Sequence, residues 1–378
     1  MKRLTALLLC CLMVGSFALQ SAAAPLGDLF SAQAQVEQKQ PEQSDSDTAP
    51  STPAIDSDYA SGAQKLDVSQ GTVPFIDESD PLMQNLAVYM VELTTDTLIH
   101  SRNADVQKYP ASLTKIMTAI VALDSGVPLD STVTVSQEAA QVGESSASLW
   151  AGDTLTLEAA LAGLMIPSGN DAAIAIAETL GEGMKTDDSQ TANEAFVAAM
   201  NAKAAELGMT ETLFSNPHGL DIGAYDNEMY SCARDVALMS AYAMGNETFR
   251  SIVSKESAQI TVTHADGKPQ VIDLQSTDRL LGTYEGACGI KTGYTDDAGY
   301  CLLSAAKQNG ETLVAVVMGC DNPVDKAGNI KRLQFSESSR LLQWGFDNFE
   351  EKNILDSTFP AGEVKVTLSK EADYVTAV

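Results

Sequence analysis

Gly299-Tyr300-Cys301-Leu302-Leu303-Ser304-Ala305-Ala306 and, shortly after it, Thr312-Leu313-Val314-Ala315-Val316-Val317-Met318 are two apolar stretches rich in strand-forming residues. The second is strongly β-branched, as a half or fully buried strand requires. Gly286 to Lys291 reads as a third strand, joined to the first of these by a turn through Thr295-Asp296-Asp297, and Ser336 to Phe346 follows as a helix. At the other end of the body, Ala87-Val88-Tyr89-Met90-Val91 and Thr97-Leu98-Ile99 form a hairpin about Thr94-Thr95-Asp96. Between these strand groups the period changes. Ser112 to Leu123 carries Leu113, Ile116, Met117, Ile120 and Val121 at spacings of three and four, with Gly126 as a stop signal. Leu155 to Met165, ending at Pro167, Ala172 to Leu180, and Ala192 to Leu207, ending at Gly208, also read as helices. Strands, then a helical block, then strands and a helix predict a mixed α/β (α+β) body. Its antiparallel sheet is built from both ends of the chain and flanked by helices, beside an all-helical subregion. No internal repeat is present.

The 378 residues are 44% hydrophobic and 20% charged, with 26 Gly and 13 Pro, which is an ordinary globular composition. Against 51 Asp+Glu stand only 23 Lys+Arg, a net charge of −28 with no basic patch, so nucleic acid is excluded as a partner. Three histidines, His100, His218 and His264, have no ligand spacing among them, so no metal and no cofactor are expected. Catalysis has to run on other side chains.

Lys2-Arg3, the apolar run Leu4 to Leu19 and Ser21-Ala22-Ala23-Ala24 have the order of a secretory signal, which places the body outside the cytoplasm. Residues 1–24 are therefore read as signal and 25–80, rich in Gln, Ser, Asp, Pro and Ala, as a flexible acidic spacer. The catalytic body is assigned to 81–350, with folded structure from near Leu86, and 351–378 to a C-terminal remnant. Cys232, Cys288, Cys301 and Cys320 lie in a body large enough to need no staple, and each is expected to be a buried free thiol.

Ser112-Leu113-Thr114-Lys115 sets a hydroxyl and an amine three residues apart at the start of a helix, on one face and within contact reach. Serine is a poor nucleophile at neutral pH, but a lysine whose pKa is lowered by burial or a second cation can take its proton. A helix N-terminus also offers free N–H groups to a developing oxyanion. Alone, the pattern also describes an ordinary cap beside a solvated lysine. Ser168-Gly169-Asn170, at a helix junction after Pro167, can aim side chains into a cleft or simply cap the next helix. Lys291-Thr292-Gly293 closes a predicted strand, where Gly293 permits close approach to the backbone. The order Ser-x-x-Lys, Ser-x-Asn, Lys-Thr-Gly in one chain outweighs the bland reading of each.

That order resembles the signature of the penicillin-binding proteins and class A β-lactamases. The surroundings resemble the low-molecular-mass D-alanyl-D-alanine carboxypeptidases. They are Pro110-Ala111-Ser112-Leu113-Thr114-Lys115-Ile116-Met117-Thr118, Ser168-Gly169-Asn170-Asp171-Ala172-Ala173, Asn216-Pro217-His218-Gly219-Leu220-Asp221, Ala233-Arg234-Asp235 and Gly289-Ile290-Lys291-Thr292-Gly293-Tyr294-Thr295. The likeness runs from about Leu86 to Phe349. It implies a β-lactamase/transpeptidase-like fold and removal of the terminal D-alanine from peptidoglycan stem pentapeptides through an acyl-enzyme, with β-lactams as covalent inhibitors. It further implies Ser112 as nucleophile, Lys115 as general base and Ser168 as proton relay. Asn170, Lys291, Thr292 and Gly293 would bind substrate, with Asn170 also bonded to Lys115, and the backbone N–H groups of Ser112 and Tyr294 would form the oxyanion hole.

Three rivals share the scaffold: a non-catalytic penicillin-binding sensor, a D,D-endopeptidase and a β-lactamase. The last would need a Glu-x-x-Leu-Asn type of segment after Ser168, which the sequence lacks. A Ser-His-Asp hydrolase lacks its Gly-x-Ser-x-Gly elbow, and His218 reads as a structural loop residue. Arg279 and Arg332 are candidates for binding the substrate carboxylate, neither in clear register with the family pattern. Phe359 to Val366 resembles only the entry to the second, all-β domain of family members, and no amphipathic anchor follows it, leaving peripheral association with membrane or wall.

Overall fold

The computed structural model describes residues 86–350 apart from 226–227, 325–327 and 329, together with short strand pieces at 37–38, 362–365 and 374–377. The segments expected to be a signal at 1–24, a spacer at 25–80 and a C-terminal remnant at 351–378 lie, apart from those pieces, outside the described residues.

Five antiparallel strands form the main sheet: β1 (Ala87–Glu92), β2 (Thr97–Arg102), β7 (Ala287–Thr295), β8 (Gly299–Gln308) and β9 (Glu311–Cys320), in the spatial order β2-β1-β9-β8-β7. The two ends of the chain meet where β1 pairs with β9, Val91 opposite Val314 and Tyr89 opposite Val316. Both faces are covered, so the central strands are apolar at nearly every position. Val88, Met90, Leu313 and Val317 face α8 (Leu333–Asn348) with its Leu341, Leu342 and Phe346. Tyr89, Val91, Val314 and Val316 face the opposite way, into the larger core shared with the helices. The approach of α8 is close: a Cβ on Gly345 would lie 2.5 Å from Leu313 Cδ1.

The helical subregion gathers around α1 (Thr114–Asp124), nine of whose residues are buried. Against it lie α3 (Leu157–Met165), α4 (Asn170–Gly181) and α5 (Ala192–Glu206), the last started by a capping box between Thr191 and Glu194. A second antiparallel sheet, in the order β3 (Thr132–Thr134), β4 (Thr154–Thr156), β5 (Ser257–Thr263) and β6 (Pro269–Gln275), flanks this region.

Several boundaries differ from the sequence reading. Leu155 belongs to β4, because Thr156 caps α3 by accepting from the Ala159 amide and the helix starts only at Leu157. Ser112 sits on a 3-10 turn over 111–113, one turn ahead of the α-helix. β7 runs on past Lys291 to Thr295, because β8 continues to pair with it as far as Gly299. The short helices α2 (Gln137–Gln141), α6 (Ala233–Met244) and α7 (Glu247–Val253) and the whole second sheet are additions. All four body cysteines are free; Cys232, Cys301 and Cys320 are buried, and Cys288 only partly so.

Candidate active site

The first wall of the cleft is the turn that carries Ser112. Its conformation is unusual, with Ala111 at φ +46°, and it rests on the loop Asn216 to Asp221. Gly219, at φ +90°, passes so close that a Cβ would lie 1.9 Å from the Ala111 carbonyl oxygen, which only glycine allows. Asn216 holds that loop together: its Nδ2 donates to the Leu220 carbonyl at 2.8 Å and its Oδ1 accepts from the Gly219 amide at 2.6 Å. The loop turns the His218 carbonyl toward α1, where Lys115 Nζ donates to it at 2.7 Å.

Lys115 Nζ also lies 2.8 Å from Ser112 Oγ. The amine is fully buried, and burial first, then the neighbouring Lys291 charge, hold its pKa well below the ordinary lysine value, with Asp171 opposing. A buried amine with a lowered proton affinity, in hydrogen-bond contact with a hydroxyl, is suited to accept that hydroxyl's proton. His218 is buried, with Nδ1 accepting from the Leu220 amide at 3.1 Å and its ring edge-on to Tyr225; it supports the loop and does not reach Ser112 by any hydrogen bond.

The second wall is the junction of α3 and α4. Ser168 adopts φ +69°, and a Cβ on Gly169 would lie 2.7 Å from the Gly163 carbonyl oxygen, so a tight crossing sets the direction of the two polar residues around it. Asp171 fastens the adjoining loop by accepting from the amides of Ala147 at 2.9 Å and Leu149 at 3.1 Å. Asn170 Nδ2 donates to the Gly143 carbonyl at 3.0 Å, while its buried Oδ1 has no hydrogen-bond partner among the described residues. The expected bond between Asn170 and Lys115 is not formed; the His218 carbonyl takes that place because the 216–221 loop packs directly behind α1.

The third wall is β7, the edge strand of the main sheet. Lys291 is 1% exposed, and burial brings its pKa down to about 7, opposed by the charge of Asp278. Thr292 and Thr277 share a hydroxyl–hydroxyl bond of 2.6 Å. A Cβ on Gly293 would lie 3.3 Å from the Ser112 amide nitrogen, so the missing side chain lets β7 come up against the nucleophile turn. Tyr294 is half exposed, its ring against Tyr300 and its hydroxyl donating to Asp296 Oδ1 at 2.6 Å.

Together these walls enclose a cleft of about 370 Å³ lined by Ser112, Ser168, Asn170, Thr292, Gly293 and Tyr294 among others, with Lys115, bonded to Ser112, and Lys291, bonded to the Thr292 carbonyl, buried behind that lining. All eight sequence-predicted residues thus meet in one place. Arg332 is on the lining and Arg279 is not. Thr277 and Asp278 were missed, since nothing in Ser276-Thr277-Asp278 distinguishes it from a turn until Thr277 is seen against Thr292. Among the described residues no cluster of His, Cys, Asp or Glu would hold a metal ion.

Comparison with known proteins points the same way. Residues 77–322 match the family model described as D-alanyl-D-alanine carboxypeptidase. The D-alanyl-D-alanine carboxypeptidase DacF of Bacillus subtilis is 32% identical over 75% of this chain and 67% of its own length. The D-alanyl-D-alanine carboxypeptidase of Streptomyces sp. strain K15 is 32% identical over 73% of this chain and 92% of its own length. Among solved structures, the Streptomyces K15 DD-transpeptidase superposes with a TM-score of 0.60 at 31% identity, covering 68% of this chain and 95% of the other. The carboxypeptidase DacD from Francisella tularensis gives 0.62 at 28%, covering 81% and 79%.

Proposed function

The chain belongs to the D-alanyl-D-alanine carboxypeptidase family, and on that premise we propose how its own residues carry the reaction. It is a serine-type carboxypeptidase with the β-lactamase/transpeptidase fold, acting on peptidoglycan peptides that end in D-Ala-D-Ala and binding β-lactams. The observation that carries the assignment of residues is the 2.8 Å contact between Ser112 Oγ and the buried Lys115 amine.

Ser112 Oγ attacks the carbonyl carbon of the penultimate D-alanine while its proton passes to Lys115 Nζ. Negative charge builds on the carbonyl oxygen, where the N–H groups of Ser112 and Tyr294 donate to it; a donor in that position is typically worth ~3 kcal/mol. The C–N bond then breaks and the departing amine takes a proton through Ser168. Asn170 Oδ1, left without a partner among the described residues, accepts from a substrate amide N–H. Thr292 holds the terminal carboxylate, with Arg332 at the cleft lining as a further cation and the buried Lys291 keeping the cleft positive behind it. A water finally attacks the ester while its proton passes to Lys115; as the bond between the acyl carbon and Ser112 Oγ breaks, Lys115 returns that proton to Oγ, which restores both the free serine and the neutral amine.

Family members act on the cell wall, and action outside the cytoplasm is the corresponding location. Export through residues 1–24, a spacer over 25–80 and peripheral contact with membrane or wall are our reading of the charged, apolar, small-residue order at the N-terminus. Mass spectrometry after incubation with penicillin tests the nucleophile: one adduct on the Ser112 peptide is expected, with none on a folded Ser112→Ala protein. An adduct persisting in that variant would remove Ser112 from its role.

A further inference from the structure

Asp278 is a buried carboxylate that the reaction as described does not use. It is 6% exposed, its Oδ1 accepts from the Leu280 amide at 2.9 Å, and its Oδ2 is buried with no hydrogen-bond partner among the described residues. A carboxylate held this way needs a charge to face, since removing it from water is costly unless it is paired. The segment that carries it is pinned to the cleft wall. Thr277 bonds to Thr292 at 2.6 Å, the Thr277 amide donates to the Ile166 carbonyl at 3.2 Å, and the Asp278 amide donates to Ser276 Oγ at 3.1 Å. Asp278 is thereby carried on the segment that bonds to Thr292, the neighbour of Lys291, near enough for the two buried charges to act on each other through the packed interior without a direct ion pair among the described residues.

Lys291 has the complementary problem. Its Nζ donates to the Thr292 carbonyl at 2.8 Å and is otherwise enclosed. The charged groups that act on it and its surroundings are few. Lys115 on α1 repels it, Asp278 attracts it, Asp171 on α4 and the buried His218 act on Lys115, and Cys288 on β7 feels Asp278 and Lys307. Asp278 is therefore the one carboxylate set against Lys291 among the described residues.

We infer that Asp278 is a positioning residue for this reaction: its buried carboxylate keeps Lys291 charged next to a second buried lysine, so that the cleft stays cationic for the substrate's terminal carboxylate. The inference rests on the carboxypeptidase reading above. Burial pushes Asp278 itself up to about 6, despite the Leu280 amide and Lys291, so its support is complete only above that range. Removing the carboxylate lets Lys291 lose its proton at lower pH.

The test is the pH profile of kcat/KM for D-alanine release, and in parallel of the second-order rate of acylation by a fluorescent penicillin, for the full chain and for Asp278→Asn. The variant should move the alkaline limb down by about one pH unit. It should lose about tenfold in kcat/KM above that limb, chiefly through KM, and stay within about twofold of the parent on the plateau below it. An unmoved limb, or an equal loss at every pH, would overturn the inference, the second because a merely structural residue damages all protonation states alike. Failure of the parent to release D-alanine would instead reject the carboxypeptidase reading, and the acylation profile would still decide the role of Asp278. Should Asp278→Asn not fold, the parent with 13Cε-labelled lysine answers the question. The Lys291 resonance should titrate in two steps, one of them near pH 6 as Asp278 takes a proton, and a single step would contradict the coupling.

Discussion

The contact between Ser112 and Lys115 works because Lys115 is kept short of a proton by two physical causes acting together, its burial and the second lysine buried behind the cleft lining. Lys115→Ala should cost about 10²–10⁴-fold in acylation, whereas Thr114→Ala, next to it and equally buried but bonded only to the Met229 sulfur at 3.8 Å, should stay within a few-fold. Equal losses in stopped-flow acylation would argue against the base assignment. The two lysines also set the pH dependence. Lys115 must be neutral to accept the Ser112 proton, so activity falls as pH drops through its lowered pKa. On the proposed mechanism Lys291 must be charged to keep the cleft positive for a carboxylate, so activity falls again as pH rises through about 7. A bell-shaped kcat/KM profile is expected, and an activity that kept climbing to pH 10 would contradict the requirement for charged Lys291. At this scale the sequence was informative about residue identity and silent about two contacts. The three-residue spacing puts Ser112 and Lys115 in reach on any helical turn, but the bond from Lys115 to the His218 carbonyl depends on where the fold brings the 216–221 loop. Asp278 was invisible for the same reason, since its segment is brought to the cleft by the bond between Thr277 and Thr292, a fold contact outside any local pattern.

Among the elements, β7 matters most, because it is both the sheet edge and a wall of the cleft. Its distance from the Ser112 turn is set by Gly293, whose added Cβ would meet Ala111 Cβ at 3.2 Å and the Ser112 nitrogen at 3.3 Å. Gly293→Ala should therefore push strand and turn apart by a few tenths of an ångström. A misplacement of that kind is expected to lower kcat by about 10–100-fold, while thermal unfolding changes little because an edge strand can shift without breaking the core. Unchanged kcat would mean that β7 does not set the geometry of the oxyanion site. The strands of the main sheet were legible because burial on both faces makes them continuously apolar, as in Val314 to Met318. The second sheet was not. Thr132–Thr134 and Thr154–Thr156 are three residues each, too short to show a period, and β5 and β6 are largely exposed, with few apolar positions to mark them. Leu155 was drawn into a helix because apolar periodicity alone does not mark where a cap falls.

The whole molecule is organised so that the site lies between parts that share one core. Buried residues from the sheet, such as Val314 and Val316, and from α1, α3, α4 and α6 belong to a single cluster, so the helical subregion and the sheet should unfold together. The two tryptophans offer a direct check: Trp150 stacks on His264 at the second sheet, and Trp344 lies on α8 against the main sheet. Single-tryptophan proteins made by Trp150→Phe or Trp344→Phe should each show a fluorescence transition in urea at the midpoint of their own far-UV circular dichroism. Separate midpoints within one protein would mean that the two sides are independent units. A shared core also explains how an acidic chain of net charge −28 keeps a cation at its cleft, since Lys291 is held in place by packing away from the acidic surface. The central claim is that this cleft hydrolyses a D-Ala-D-Ala terminus through Ser112. The most direct measurement is release of free D-alanine from an N-acylated Lys-D-Ala-D-Ala tripeptide by the purified protein, with Ser112→Ala beside it. Multiple turnovers by the parent and none by the variant are the predicted result; no release by the parent, or equal release by both, would contradict it.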